Sequence, residues 1–172
     1  MIGVAAASRL GAAASIFYLG VYVLTNLAAF GTVVLVSNKT GGDEIKDFAG
    51  LGRRNIYLGL LMMLALLSLA GVPPLGGFFG KFYVFQAAVG AGLIRLAIIG
   101  VLNAIVGLYY YLTIIKVMFV FHTERPEDEG DPVILPTASR WALGVTTLGF
   151  LFLGIYATPW YDLATKAAEA FF

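Results

Sequence analysis

The sequence predicts an all-α fold: a polytopic membrane helix bundle of about four transmembrane helices, one of them discontinuous. Three observations carry that expectation. The 172 residues are 60% hydrophobic and only 12% charged, about half the roughly 25% of a soluble domain, and the mean hydropathy is +0.89. The charges are segregated, with none from Leu10 to Asn38, Asn55 to Gly80, Leu96 to Ile115 or Trp141 to Tyr161. A Pro73-Pro74 pair set among Gly71, Gly76, Gly77 and Gly80 interrupts the second interval. Such a chain excludes a soluble globular enzyme and a disordered tail. No internal repeat or low-complexity tract divides it, so residues 1–172 read as one membrane domain.

Each element follows from the 30 Å hydrocarbon core, which takes about 20 apolar residues of helix to cross. Residues 1–12 start apolar and break at Ser8-Arg9. Lacking the cationic start and cleavage pattern of a signal peptide, they are expected to be the last turns of a preceding helix. Residues 13–37 make the first crossing. Ser37 to Asn55 carries seven charges and the turn residues Thr40-Gly41-Gly42-Asp43, which makes it a solvated loop. Residues 56–92 need more care. Each proline lacks a donor and disfavours helix at the residue before it, so the helix must stop near Val72. Residues 56–72 as helix would span about 25 Å, slightly short of a crossing. Either two short helices cross separately, or one broken helix crosses once. Counting Lys and Arg on the two sides gives six to three under both readings and leaves them tied. Residues 95–121 form the next crossing, and the acidic, proline-containing stretch Phe121 to Pro132 is a loop. The last crossing, residues 140–159, is bracketed by Trp141 and by Tyr156, Trp160 and Tyr161. The 19 steps from Trp141 to Trp160 make about 28 Å of helix, matching two interfacial aromatic belts. Pro159 is expected to end that span, leaving DLATKAAEAFF as an amphipathic tail at the interface.

Several chemistries are excluded within this chain. It has no Cys and one His, so disulfides, thiolate catalysis, iron–sulfur ligation and a His-rich metal site are out. A net charge of +1 offers no basic stripe for nucleic acid. No phosphate-binding glycine loop, dinucleotide fingerprint or nucleophile elbow is present, nor any sign that the chain alone binds NADH, flavin or haem. The acidic loop from Glu124 to Asp131 lacks the ligand spacing of a calcium loop.

Lys81 is the residue that needs explaining. It stands inside an apolar stretch, 27 residues after Arg54 and 14 before Arg95. An intramembrane lysine costs about 2.5–3.5 kcal/mol on insertion scales and marks a functional candidate. Withdrawal from water disfavours the charged form of an amine, which lets such a group accept and release a proton. Lys81 also follows a glycine-rich break, and non-helical backbone at membrane depth is tolerated only against protein or a wet cavity. The residues therefore admit a proton or ion relay, or else a structural role in which Lys81 pairs with an acid from another subunit or snorkels along the second half-helix. Lys116, near the end of its span, reads as a headgroup-seeking side chain or a second relay. Tyr109, Tyr110 and Tyr111 read as packing or anchoring residues, with one hydroxyl available to a water chain. Thr25, Asn26 and Asn103 suit interhelical hydrogen bonds, and His122 an interfacial position or a proton entry. Gly76 and Gly80 have the spacing that lets helices approach closely.

The segment LSLAGVPPLGGFFGKFYVF (Leu67 to Phe85) closely resembles the broken-helix motif of the antiporter-like membrane subunits of respiratory complex I. NAIVGLYYYLTIIKVMF (Asn103 to Phe119), FYLGVYVLTNLAAFG (Phe17 to Gly31) and DFAGLGRRN (Asp47 to Asn55) are similar to the same family. Within it, G-K-F-Y after the break followed by Y-Y-Y resembles the N-type branch, whereas S-K-D-E or G-E-F marks the L and M types. The resemblance implies that residues 56–92 are one discontinuous helix, and that the four crossings correspond to helices eleven to fourteen of a fourteen-helix subunit. It implies a cytoplasmic basic loop, proton translocation coupled to electron transfer from NADH to quinone, and Lys81 as the proton relay. Where relatives often carry Arg or Lys after Y-Y-Y-L this chain has Thr113, and Lys116, one turn on, is the candidate to supply that charge. The family's other channel groups, a glutamate and lysines of earlier helices, have no counterpart here. FMN, iron–sulfur clusters and quinone are expected in other subunits, with no cofactor in this chain. The expected partners are the lipid bilayer, other membrane-arm subunits including other antiporter-like ones, and, for a fragment or split subunit, a separate chain carrying the N-terminal helices. The expected location is a bacterial inner (plasma) membrane, crossed several times. The rival expectation is a subunit of a multisubunit cation/proton antiporter.

Overall fold

A computed structural model of the protein describes residues 1–122 and 133–171, which are helical with no strand among them. A short helix α1 (Ile2–Ala5) precedes α2 (Arg9–Thr40). Ser8 separates them: its backbone is extended, and its Oγ accepts the Gly11 N–H at 3.1 Å, satisfying one of the unpaired donors of the new helix. Residues 9–12, expected in a preceding helix, therefore belong to the first long one. At 32 residues, α2 is about 48 Å long and unbroken. The charged loop contains a 3-10 turn (Ile45–Phe48) and α3 (Leu51–Arg54). Asn55 then caps α4 (Ile56–Ala70) by accepting the Leu58 N–H at 3.0 Å. After the break come α5 (Gly76–Gly90), α6 (Ile94–Phe119), α7 (Thr137–Ile155) and α8 (Ala157–Ala168).

Registration against α2 decides between one and two crossings for residues 56–92. Phe17 packs edge-on to Tyr83 at 5.4 Å, Val21 lies against Gly76, and Thr25 meets Ser68. Advancing along α2 thus walks backwards through α5 and then into α4. On the other side α6 does the same, with Gly100 against Phe85 of α5 and Phe119 against Gly59 of α4. The two short helices occupy successive lengths of the same neighbours, so they make one discontinuous crossing. The break faces Val21 to Thr25, close to the middle of the charge-free stretch Leu10 to Asn38.

The end of the chain departs from expectation. Helix α7 stops at Tyr156 (φ −111°, ψ 48°), ahead of Pro159, and Pro159 is the third residue of α8. A proline is harmless there, because the first N–H groups of a helix have no internal partner. The amphipathic tail, residues 162–171, packs back against the bundle. Gly31 meets Leu143, Gly149 meets Leu24, Phe17 meets Tyr161, and Arg9 pairs with Glu169, so α7 and α8 continue in one direction along α2. The amphipathic pattern of α8 includes a small-residue packing face, Ala157, Ala164 and Ala168, all buried. Gly154, near the α7–α8 junction, sits directly on the Pro74–Gly76 backbone of the break.

Lipid tails are as apolar as leucine, so close packing and polar contacts hold such a bundle together. The glycines show where backbones approach. A Cβ at Gly76 would lie 2.8 Å from the Phe150 carbonyl oxygen, and one at Gly80 would lie 2.7 Å from the Tyr18 ring. The acidic loop Glu124 to Asp131 lies outside the described residues.

Candidate functional site

The site starts from the way α4 ends. Gly71 takes a left-handed conformation (φ +87°), a region costly for other residues. Its N–H donates to the carbonyls of Leu67 and Ser68, and the Val72 N–H donates to Leu67, each at 3.0 Å. This helix-ending motif satisfies two of the last four carbonyls and leaves those of Leu69 and Ala70 without backbone donors. Val72 to Leu75 then turn, with the Leu75 N–H donating to the Val72 carbonyl at 3.1 Å and a cis Pro73-Pro74 peptide.

Lys81 supplies the missing donors. Side chains on a helix lean toward its N-terminus, so from the second turn of α5 the lysine stem folds back over the break. Its Nζ donates to the Leu69 carbonyl at 2.7 Å and to the Ala70 carbonyl at 3.0 Å. The ammonium thus closes the end of α4, where the partial negative charge of a helix C-terminus also favours a cation. Gly71 clears the way, since a Cβ there would press on the lysine stem at 3.0 Å from Cδ. No carboxylate among the described residues pairs with Lys81, whose Nζ partners are the two carbonyls. An ammonium has three N–H donors, so one remains beyond the two carbonyl bonds. Lys81 borders a cavity of 510 Å³ between α1, α2, α5 and α6, whose polar margin is Ser15, Tyr18, Tyr22 and Asn103.

The remaining candidates are dispersed. Lys116 is exposed in the last turn of α6, its ammonium 5.4 Å from the centre of the Phe121 ring. It is twelve residues beyond Ala104, which borders the cavity, or about 18 Å along the helix, so the structure does not bring it to Lys81. Of the tyrosine run, Tyr109 and Tyr110 are exposed and Tyr111 packs on the core. His122 meets the Arg53 guanidinium at 2.7 Å, and Arg53 also donates to the Val120 and Phe121 carbonyls, fastening the basic loop to the end of α6. Asn26 bonds within its own helix, to the Tyr22 carbonyl, whereas Thr25 reaches across to Ser68. Thr113 turns back onto the Tyr109 carbonyl. No cluster of three or more metal-ligating side chains forms among the described residues.

Two participants escape sequence reasoning. The carbonyls of Leu69 and Ala70 carry no side-chain signal. Ser68, fully buried, accepts the Gly77 N–H at 3.2 Å and lies 3.4 Å from the Thr25 hydroxyl. Its one sequence cue is a hydroxyl in the last turn before a helix break, within an otherwise apolar run.

Residues 1–107 match the family model described as NADH:quinone oxidoreductase/Mrp antiporter, transmembrane. The chain belongs to this family. The matched segment of the NADH:quinone oxidoreductase/Mrp antiporter family includes α2, the break and Lys81, and stops short of Lys116. Among curated relatives, the chain is similar to NADH-quinone oxidoreductase subunit N of Moorella thermoacetica, 40% identical over 100% of this chain and 36% of that protein. It thus spans about a third of the length of the curated relatives it matches. Among solved structures it is similar to a chain of respiratory complex I from Thermus thermophilus, with a TM-score of 0.75 and 30% identity over 93% of this chain and 36% of that one. A chain of the Mrp complex from Dietzia shares the fold, with a TM-score of 0.80 at 22% identity, covering 96% of this chain and 39% of that one.

Proposed function

We propose that the chain is part of an N-type antiporter-like subunit in the membrane arm of an NADH:quinone oxidoreductase, and that Lys81 relays protons there. Flavin, iron–sulfur and quinone chemistry would reside in other subunits, and this chain would contribute proton movement coupled to it. The partners are neighbouring membrane-arm subunits, including other antiporter-like ones. A chain supplying the helices that longer relatives possess would be another. The membrane is a bacterial inner membrane, a reading supported by the bacterial sources of the relatives. One observation carries the proposal: an ammonium with which no carboxylate among the described residues pairs, held at a helix break halfway along α2 and open to a cavity. Coulombic coupling to charges on adjoining helices is strong in such a low-dielectric setting. Lys116, remote and exposed, is assigned to the headgroup layer and not to the relay.

Two substitutions separate relay from cap in the assembled complex, in sealed vesicles energised by NADH. Lys81→Met removes the titratable group and should depress proton uptake by about an order of magnitude or more, with assembly retained. Lys81→Arg keeps positive charge and donors but cannot release a proton, and should fail equally. Normal pumping in either variant overturns the relay assignment. The second reading, a cation/proton antiporter subunit, is favoured by the matched family description, which names both kinds of complex. Sodium-driven proton movement without NADH oxidation would select it.

A further inference from the structure

We propose that Ser68, acting with Thr25, is a positioning residue for Lys81: one buried hydroxyl ties α4, α5 and α2 together so that the two unsatisfied carbonyls stay on the amine. This rests on the reading of Lys81 as a relay and adds a residue to it. Ser68 immediately precedes Leu69 and Ala70 in the last turn of α4. Gly77, whose N–H it accepts at 3.2 Å, is four residues before Lys81 on α5. That bond therefore sets the offset between the end of one half-helix and the start of the other, which is the gap the lysine stem must bridge.

Hydrogen bookkeeping gives the direction of each bond. Thr25 donates its only hydroxyl hydrogen to the Val21 carbonyl at 2.8 Å. In the 3.4 Å contact between the two hydroxyls, Ser68 must then be the donor and Thr25 the acceptor. Ser68 thus accepts from α5 and donates to α2, with both of its roles in use. Its burial is complete, so loss of the hydroxyl leaves the Gly77 N–H without its partner in a place where an unpaired donor is costly. The lysine itself needs only two N–H groups to hold both carbonyls, and a neutral amine still has two. With the offset fixed by Ser68, the amine can give up its third hydrogen without leaving the break.

The test uses the assembled complex and compares Ser68→Ala, Thr25→Val and Thr25→Ser, each also in the Lys81→Met background. Ser68→Ala should lower NADH-driven proton uptake roughly 2- to 10-fold. It should also displace the pH at half-maximal uptake by about half a unit or more, with the amount of assembled complex unchanged. Thr25→Val should move both readouts in the same sense by a smaller amount, and Thr25→Ser, which keeps the hydroxyl, should restore them. In the Lys81→Met background neither Ser68→Ala nor Thr25→Val should lower uptake further. The inference is overturned if Ser68→Ala leaves uptake and its pH profile at wild-type values while Lys81→Met abolishes uptake. It is equally overturned if Ser68→Ala reduces uptake only in proportion to lost assembly, or lowers it further without Lys81. Full uptake in Lys81→Met alone would instead remove the relay reading beneath it.

Discussion

Replacing Gly77 with alanine should open the break, and the structure permits the size of the effect to be worked out. The new Cβ would overlap the Ser68 carbonyl oxygen, lying 2.7 Å from its carbon and 3.0 Å from its Oγ. The obstacle is backbone and cannot swing aside as a flexible side chain would. Restoring an ordinary separation of about 3.5 Å to the carbon alone displaces the first turn of α5 by about 0.8 Å. Lys81 rides on the same helix, so its bonds of 2.7 and 3.0 Å to Leu69 and Ala70 stretch beyond hydrogen-bonding range. Overpacking costs about 1–3 kcal/mol and each lost bond about 0.5–1.5 kcal/mol, so local stability falls by about 2–6 kcal/mol. Hydrogen exchange on the solubilised complex reads this directly: amides of residues 72–85 should exchange about 30-fold faster or more, and proton uptake should fall with them. Gly20→Ala is the control, since nothing lies within 4 Å of its added Cβ. Unchanged exchange at 72–85 in Gly77→Ala would refute the claim that this glycine holds the two half-helices in register.

Two further perturbations probe parts of the bundle away from the lysine. Tyr161→Ala deletes a ring stacked on Tyr83 at 3.9 Å and set edge-on to Phe17 at 6.3 Å. Two aromatic pairs are worth about 1–3 kcal/mol, so α8 amides should exchange about 5- to 150-fold faster, and protection of α8 unchanged from wild type would show that it is held otherwise. Arg53→Ala removes the donors that close the end of α6 at Val120 and Phe121. Exchange at residues 116–122 should rise about 5-fold while α5 stays as protected as before, and a change in α5 would mean that the two ends of the bundle are coupled.

Much of this architecture is legible in the sequence because membrane solvation is a coarse filter. The charge-free intervals locate α2, α6 and α7, and Pro73-Pro74 with its glycines locates the break. Lys81 is conspicuous because a cation in such a stretch is costly. Other features depend on tertiary neighbours and leave faint traces. Loop charges could not separate one crossing from two, since both layouts divide them alike; the answer lay in the shared flank of α2. The interruption at Tyr156 has no proline or glycine pair of its own, and the nearest proline, Pro159, belongs to the next helix. Ser68 resembles any serine in a leucine-rich helix until Gly77 and Thr25 are brought against it. The capping of Leu69 and Ala70 by Lys81 is invisible to pattern reading, because carbonyl groups are common to every residue.

The continuity of α2 has a practical use. It is one unbroken helix along which both halves of the discontinuous crossing and the α7–α8 pair lie, with Ser68 and Tyr83 of the former and Leu143 and Tyr161 of the latter on its flank. A spin label on its outer side is therefore a fixed benchmark: the distance to a second label on α4 gauges one half-helix and the distance to a label on α5 gauges the other. If the joint flexes during turnover, the two readings diverge; if the whole bundle merely tilts in the bilayer, both stay constant.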